Sequence, residues 1–425
     1  MDTIKILPSV LNGKVKIPPS KSMSHRAIIC AALAHEESLI THVSLSDDIL
    51  ATLEGVEALG AKVNKRMDDD KTYSIRIEGA KKIICKKNKI DCKESGSTLR
   101  FLIPIGILTK DEMTFTGRGK LMERPLHEYY KIFEKQDIKY DTDNGKLPLT
   151  IKGNLKGDIF KVRGDVSSQF ITGLLFALPL LKEDSKIIVT TSLESKSYID
   201  LTIQMMSQFG VDIKKDKKDY WIQGNQEFKP STYKVEGDFS QGAFFMVAGI
   251  LGGNIRCMDL LIDSLQGDKA IIDIIKKMGG EIFVEGNDIV TKASKTHGIT
   301  IDVSQCPDLV PAICVLASLS KGTTKIVNAK RLRIKESDRL KAMATELNKL
   351  GGCVKEFEDG LEIVGKESLI GGEVDSWNDH RIAMALGIVS IRCKHPVVIK
   401  NSHAVKKSYP EFWEDFKRLG GKIHE

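Results

Sequence analysis

One phrase recurs along this chain: an amphipathic helix, a glycine, a short strand, a polar turn and a return strand. It reads TLEGVEALGAKV followed by TYSIRIEG in residues 52–79, IQMMSQFGVDIKKDKKDYWIQG in 203–224, IIDIIKKMGGEIFVEGNDIVTK in 271–292 and MATELNKLGGCVKEFEDGLEIVG in 343–365. A weaker copy without the central glycine occupies 129–153, and a truncated one, FWEDFKRLGGKI, occupies 412–423. Met343, Leu347 and Leu350 fall at i, i+4 and i+7, as do Phe412, Phe416 and Leu419, which places each set on one helical face. Gly351 and Gly420 then stand where a left-handed residue ends a helix, and FEDG and EGND suit hairpin turns. The copies recur roughly every 70 residues, longer than the usual solenoid periods, so each reads as a small α/β subdomain.

Six copies divide into three plus three, which predicts an α/β fold of two similar domains. The last copy ends after one strand, and IKILPS near the N-terminus is a strand with no helix before it. We therefore expect the N-terminal strand to complete the C-terminal domain. The expected boundaries are 19–236 for one domain and 1–18 plus 237–425 for the other, with an active-site cleft between them. The 425 residues suffice for two cores, and a net charge of +7 is too mild and too dispersed to argue for nucleic acid. Eight scattered cysteines with no CxxC pair predict reduced thiols in the cytoplasm, without a zinc ribbon or redox pair. The longest apolar stretch, FITGLLFALPLL in 170–181, is too short to span a bilayer, and residues 1–17 lack a signal-peptide core.

Chemistry-bearing residues concentrate between the copies. In PPSKSMSHRA (18–27) the prolines hold the chain extended, Ser20 or Ser22 can cap, and Lys21 and Arg26 fall in the first turns of an apolar helix. The helix dipole disfavours cations there unless an anion neutralises them. ESGSTLRFLIP (94–104) repeats the pattern with Gly96 and Arg100, GRGKLMERPL (117–126) carries Arg118, Lys120 and Arg124, and GDVSSQF (164–170) offers Ser167, Ser168 and Gln169. The C-terminal half mirrors this with CPDLVPA around Asp308, RLRIKESDRL around Lys335, Glu336 and Arg339, SWNDHRIAMALG around Asp379, His380 and Arg381, and HAVKKSYPEF around Lys407. Each could be a capped helix start with solvated charges; their recurrence at equivalent places is what points to anion binding.

With SKSYID (195–200) added, these motifs stand in the order and spacing of the enolpyruvyl transferase family, which the chain resembles over its whole length, in the branch that uses shikimate 3-phosphate as acceptor. The resemblance implies two domains, each of three βαβαββ units with pseudo-threefold symmetry, an inside-out α/β barrel. It implies transfer of the enolpyruvyl group of phosphoenolpyruvate to the 5-hydroxyl of shikimate 3-phosphate with release of phosphate, in aromatic amino acid biosynthesis. No metal or organic cofactor, nucleic acid or membrane is expected, and the protein is expected to be monomeric. Carried over by motif, Lys21, Ser22, Arg26, Ser167, Ser168, Gln169, Ser195, Asp308 and Lys335 would hold shikimate 3-phosphate. Lys21, Gly96, Arg124, Gln169, Arg339, Arg381 and Lys407 would hold phosphoenolpyruvate. Asp308 would act as base toward the hydroxyl, Glu336 as acid toward the methylene carbon, and Lys21 as proton shuttle or leaving-group stabiliser. The two substrates bring roughly five negative charges into one site, which accounts for the surplus of Lys and Arg.

Two positions depart from the family pattern: Glu94 stands where many members carry Asn, and Arg331 where some carry a polar amide. A sister enzyme acting on UDP-N-acetylglucosamine is the nearest rival, but it carries a cysteine in the loop matching 117–126 and KN at the positions of Lys21 and Ser22; this chain has neither. A non-enzymatic anion- or RNA-binding repeat protein would not need Asp308 and Glu336 beside the cations, and aromatic residues, 6% of the chain, do not cluster with the motifs.

Overall fold

The computed structural model describes residues 2–80 and 82–424, which form two compact units, Pro19–Val235 and Met1–Pro18 with Glu236–Glu425. Glu236 groups with the discontinuous unit, one residue earlier than the expected boundary, because its carboxylate accepts hydrogen bonds from Ser264 Oγ at 2.5 Å and Gln266 Nε2 at 2.6 Å.

Each unit holds three separate four-stranded sheets among the described residues, all built alike: one parallel pair, then two antiparallel partners. In the sheet nearest the start of the first unit, Thr232–Lys234 runs parallel to Glu37–Val43, which pairs antiparallel with Tyr73–Glu78, and that strand with Lys62–Met67. The truncated sixth copy takes its return strand from the N-terminus: Thr3–Leu7 pairs antiparallel with both Val397–Lys400 and Lys422–His424, setting Ile6 opposite Ile423. Asn12–Lys16 likewise opens the sheet of Asn254–Met258 by parallel pairing.

The strands alternate in burial, as in Lys146–Lys152, so each sheet presents one apolar face. Helices that are apolar on every side cover those faces. In the first unit they are Lys21–Leu33, Gly96–Ile107 and Ser168–Ala177; in the second, Phe239–Gly252, Val310–Ser318 and His380–Val389. Almost every residue of these six helices is buried, and in the second unit all three pack on one another. The sheets stay separate, so the unit is a triad of sheets around helices and not a closed barrel. The repeat helices, such as Asp47–Ala58 and Arg339–Lys349, lie further out with one solvated face. Among the described residues no helix is long and apolar enough to cross a membrane.

All six repeat helices end in a left-handed residue: Gly60, Gly210, Gly279, Gly351 and Gly420, with Asp137 at φ +54° in the copy that lacks the glycine. Aspartate tolerates this region because its short polar side chain adds little steric conflict, whereas a β-branched residue does not. Asp137 is exposed, so substitution there reads the backbone alone. Asp137→Gly is expected to stabilise the protein by about 0.5 kcal/mol and Asp137→Val to destabilise it by about 1 kcal/mol, measured as urea unfolding midpoints.

Candidate active site

In the unit Pro19–Val235 hydrogen bonds link the starts of the central helices, the first to the second through Asp48. Ser20 caps the first, accepting from Met23 N at 3.4 Å, and Lys21 in its first turn reaches Asp48 Oδ2 at 2.7 Å, both side chains largely buried. Asp48 opens the helix Asp47–Ala58, and its carbonyl accepts from Thr98 Oγ1 at 3.3 Å. Thr98 belongs to the second central helix, capped by Ser95. The third begins at Ser168 behind the cap Ser167; its Gln169 donates from Nε2 to Ser97 Oγ at 3.0 Å and accepts from Arg100 Nη1 at 2.8 Å. Gly173 permits this closeness: a Cβ there would stand 2.2 Å from the Arg100 carbonyl.

Gly96 is the floor of this cluster. A Cβ at that position would lie 2.4 Å from Arg124 Nη1, 3.1 Å from Arg100 Nη1 and 3.4 Å from Gln169 Oε1. Of the three cations in 117–126, Arg124 alone turns inward and is buried; Lys120 pairs with Glu123 and Arg118 with Asp91 on the surface. Glu94, half-buried, lies beside the Gly119 backbone, where a Cβ would be 2.9 Å from its Oε2. Ser195 sits at φ +50° at the start of Lys196–Gln208 and is buried without capping that helix through its side chain. Its backbone conformation is uncommon outside glycine.

Arg26 is engaged by the protein itself. Its guanidinium donates to Thr202 Oγ1 at 2.8 Å, Ser22 O at 2.6 Å and Tyr198 O at 2.8 Å, and it lies over the Phe101 and Tyr198 rings. Burial pulls its pKa down to about 10, yet it stays cationic at neutral pH. These contacts make it a tie between two helices. His25 shares a 2.7 Å hydrogen bond with Thr52 Oγ1, which continues to Thr98; burial, then Lys21 and Arg26, hold the imidazole neutral.

The other unit builds a second cluster on the same plan. Asp308, in the 3-10 turn Pro307–Leu309 before its helix, accepts on Oδ1 from Arg339 Nη1 at 2.9 Å and Lys335 Nζ at 3.4 Å, and on Oδ2 from Arg381 Nη2 at 3.2 Å. Arg381 also donates to Ser240 Oγ at 2.9 Å, so residues at the starts of all three central helices of this unit converge. Glu336 lies in the loop before Arg339–Lys349 and accepts from Arg339 Nη2 at 2.7 Å. Lys407 donates to the carbonyl of Asn378 at 2.6 Å.

Asp379 fastens this cluster. Its fully buried carboxylate caps the last central helix by accepting from Arg381 N at 2.9 Å, and it accepts from Arg339 Nε at 2.8 Å and Ser337 Oγ at 3.0 Å. Arg339 is 1% exposed; burial lowers its pKa but Asp379, Glu336 and Asp308 together raise it further, so it is permanently charged. Motif reading placed Asp379 beside Arg381 without showing that it carries Arg339. Asp48 was missed, because two acids after a serine read as an ordinary N-terminal turn.

Burial alone would raise the Asp308 pKa, but Arg381, Lys335 and Arg339 outweigh burial and the opposing Glu336 and hold it well below the usual carboxylate range. A carboxyl depressed on folding contributes stability that is present above its unfolded pKa of about 3.9 and lost as pH falls through the lower folded value. The stability difference between the wild type and Asp308→Asn is therefore expected to be constant from about pH 5 to 8 and to shrink below about pH 4, measured by urea unfolding at each pH. Burial lowers the Lys335 pKa despite Asp308 and Glu336. Among the described residues no group of three or more His, Cys, Asp or Glu could hold a metal ion.

A sequence model of the family described as EPSP synthase (3-phosphoshikimate 1-carboxyvinyltransferase) matches residues 7–416. The chain is 58% identical over 430 residues to the 3-phosphoshikimate 1-carboxyvinyltransferase of Clostridium novyi, covering 100% of this chain and 99% of that protein. It is also 58% identical over 427 residues to its namesake from Clostridium acetobutylicum, with the same coverage. The solved structure of an EPSP synthase from Acinetobacter baumannii matches with a TM-score of 0.80 at 26% identity, covering 100% of both chains.

Proposed function

The chain belongs to the EPSP synthase family, and from that membership we propose that it transfers the enolpyruvyl group of phosphoenolpyruvate to the 5-hydroxyl of shikimate 3-phosphate, releasing phosphate. One observation carries the reading to chemistry: a single carboxylate, Asp308, held among Arg339, Lys335 and Arg381 where three helix N-termini converge. Phosphates and carboxylates of two substrates would take over those cations. As they do, the charges that depress Asp308 are neutralised and its pKa climbs back toward the range where it can accept a proton. Substrate binding would thus create the base.

We assign the roles as follows. Lys21, Ser22, Arg26, Ser167, Ser168, Gln169 and Ser195 on one unit, with Asp308 and Lys335 on the other, bind shikimate 3-phosphate. Lys21, Gly96, Arg124 and Gln169, with Arg339, Arg381 and Lys407, bind phosphoenolpyruvate, the arginines offering planar forks to carboxylate and phosphate. Arg26 takes part by holding Ser22 and the helix that follows Ser195, given its internal contacts. Asp308 takes the proton of the 5-hydroxyl as its oxygen attacks C2 of phosphoenolpyruvate, and Glu336 delivers a proton to the methylene carbon, leaving a tetrahedral ketal. The Glu336 carboxylate left by that transfer then takes a methyl proton back as the C–O bond to phosphate breaks, forming the enol ether, while Lys21 neutralises the departing charge. The two clusters belong to different units, and each supplies part of the proposed set of binding residues. The enzyme is proposed to work as a cytoplasmic monomer supplying aromatic amino acid synthesis.

Phosphate release from phosphoenolpyruvate tests the reading directly: turnover is expected with shikimate 3-phosphate and none with UDP-N-acetylglucosamine, and the reverse preference would sink it. Asp308→Ala is expected to lose roughly 10²-fold or more in kcat. In Gly96→Ala the new methyl must displace Arg124, so KM for phosphoenolpyruvate is expected to rise about tenfold or more in initial-rate measurements while KM for shikimate 3-phosphate changes little.

A further inference from the structure

The segment before the last central helix contains two consecutive residues other than glycine in the left-handed region, Trp377 at φ +55° and Asn378 at φ +52°. Such backbone persists only where its surroundings over-determine it. Here the restraint is a buried carboxylate on a neighbouring helix. Glu346, 1% exposed within Arg339–Lys349, accepts from the indole Nε1 of Trp377 at 2.8 Å and from Asp375 N at 3.0 Å. Lys349 balances its charge at 2.9 Å. Asn401 holds the other side, donating to both Asp375 carboxylate oxygens at 3.2 and 3.1 Å while its carbonyl accepts from Ser376 Oγ at 2.9 Å.

What this turn presents is the carbonyl of Asn378, which receives Lys407 Nζ at 2.6 Å, and immediately after it the Asp379 carboxylate that receives Arg339. Two cations of the second cluster are therefore held by two successive residues, Asn378 and Asp379, directly after Trp377. We propose that Trp377 and Glu346 are positioning residues for phosphoenolpyruvate: their hydrogen bond keeps the strained turn wound so that the Asn378 carbonyl holds Lys407 toward the substrate. This rests on the functional reading above. Neither residue touches the substrate in that reading; both act through Lys407. Loss of the indole N–H leaves Glu346 Oε1 with Lys349 Nζ but without its tie to the turn, which relaxes and loosens the hold of the Asn378 carbonyl on Lys407.

Trp377→Phe keeps the ring and removes the donor, and Glu346→Gln keeps the bulk and alters the acceptor should the first variant fold poorly. For either, the expected result is a KM for phosphoenolpyruvate about tenfold higher, with kcat within about threefold and KM for shikimate 3-phosphate within about twofold. Lysine acetylation followed by peptide mass spectrometry is expected to show Lys407, buried in the wild type, reacting several-fold faster. An unchanged KM for phosphoenolpyruvate, an equal rise in both KM values, or unchanged Lys407 labelling would overturn the assignment. A wild type that releases no phosphate would instead overturn the functional reading, and the labelling would still decide the role of the turn.

Discussion

Three sheets, each apolar on one face, share the interior of each unit, and only helices apolar on all sides can fill a space bounded by three such faces. That constraint governs the rest. It brings the starts of three buried helices together, and with them a set of backbone N–H groups and dipole ends that favour anions. Lys21, Arg124, Arg339, Arg381 and Lys407 add charge where the folding requirement has already prepared an anion site. The short caps Ser20, Ser95, Ser167, Asp238 and Asp379 serve both purposes, ending the helices and leaving room beside them.

Collecting cations in a water-poor interior is unfavourable, and the two clusters meet the difficulty differently. In Pro19–Val235 Lys21 is tied to Asp48, and Arg100 to the Gln169 amide and the Pro125 carbonyl. In the other unit, Asp379, Asp308 and Glu336 divide Arg339 among them. The consequence for chemistry is specific. Asp308 is strongly ionised while it serves as counter-ion, and it gains basicity as arriving anions replace it in that task, so binding and catalysis draw on the same charge balance.

Legibility in the sequence followed how local each feature is. The repeat phrase was readable because helical spacing and the glycine at each helix end are properties of adjacent residues. The copy around Asp137 read as weak because aspartate seldom takes the left-handed region, and only the backbone showed that it does so there. The cations of the motifs were visible as residue types at helix starts. What each one touches was not visible: Arg118, Lys120 and Arg124 lie within seven residues, yet two pair on the surface and one turns in beneath Gly96. Arg26 looked like a ligand-facing cation and carries three internal hydrogen bonds, two of them to residues more than 170 positions away.

By itself the sequence determined the repeated α/β units, the apolar helices between them, and the residue types available at each helix start, because those depend on periodicity, turn chemistry and charge within short windows. Only the tertiary structure decided the side-chain partners: Asp48 for Lys21, Asp379 for Arg339, and the Glu346 clamp on Trp377. Each of those pairings joins positions far apart in the chain, and their strength comes from burial, which no local pattern encodes.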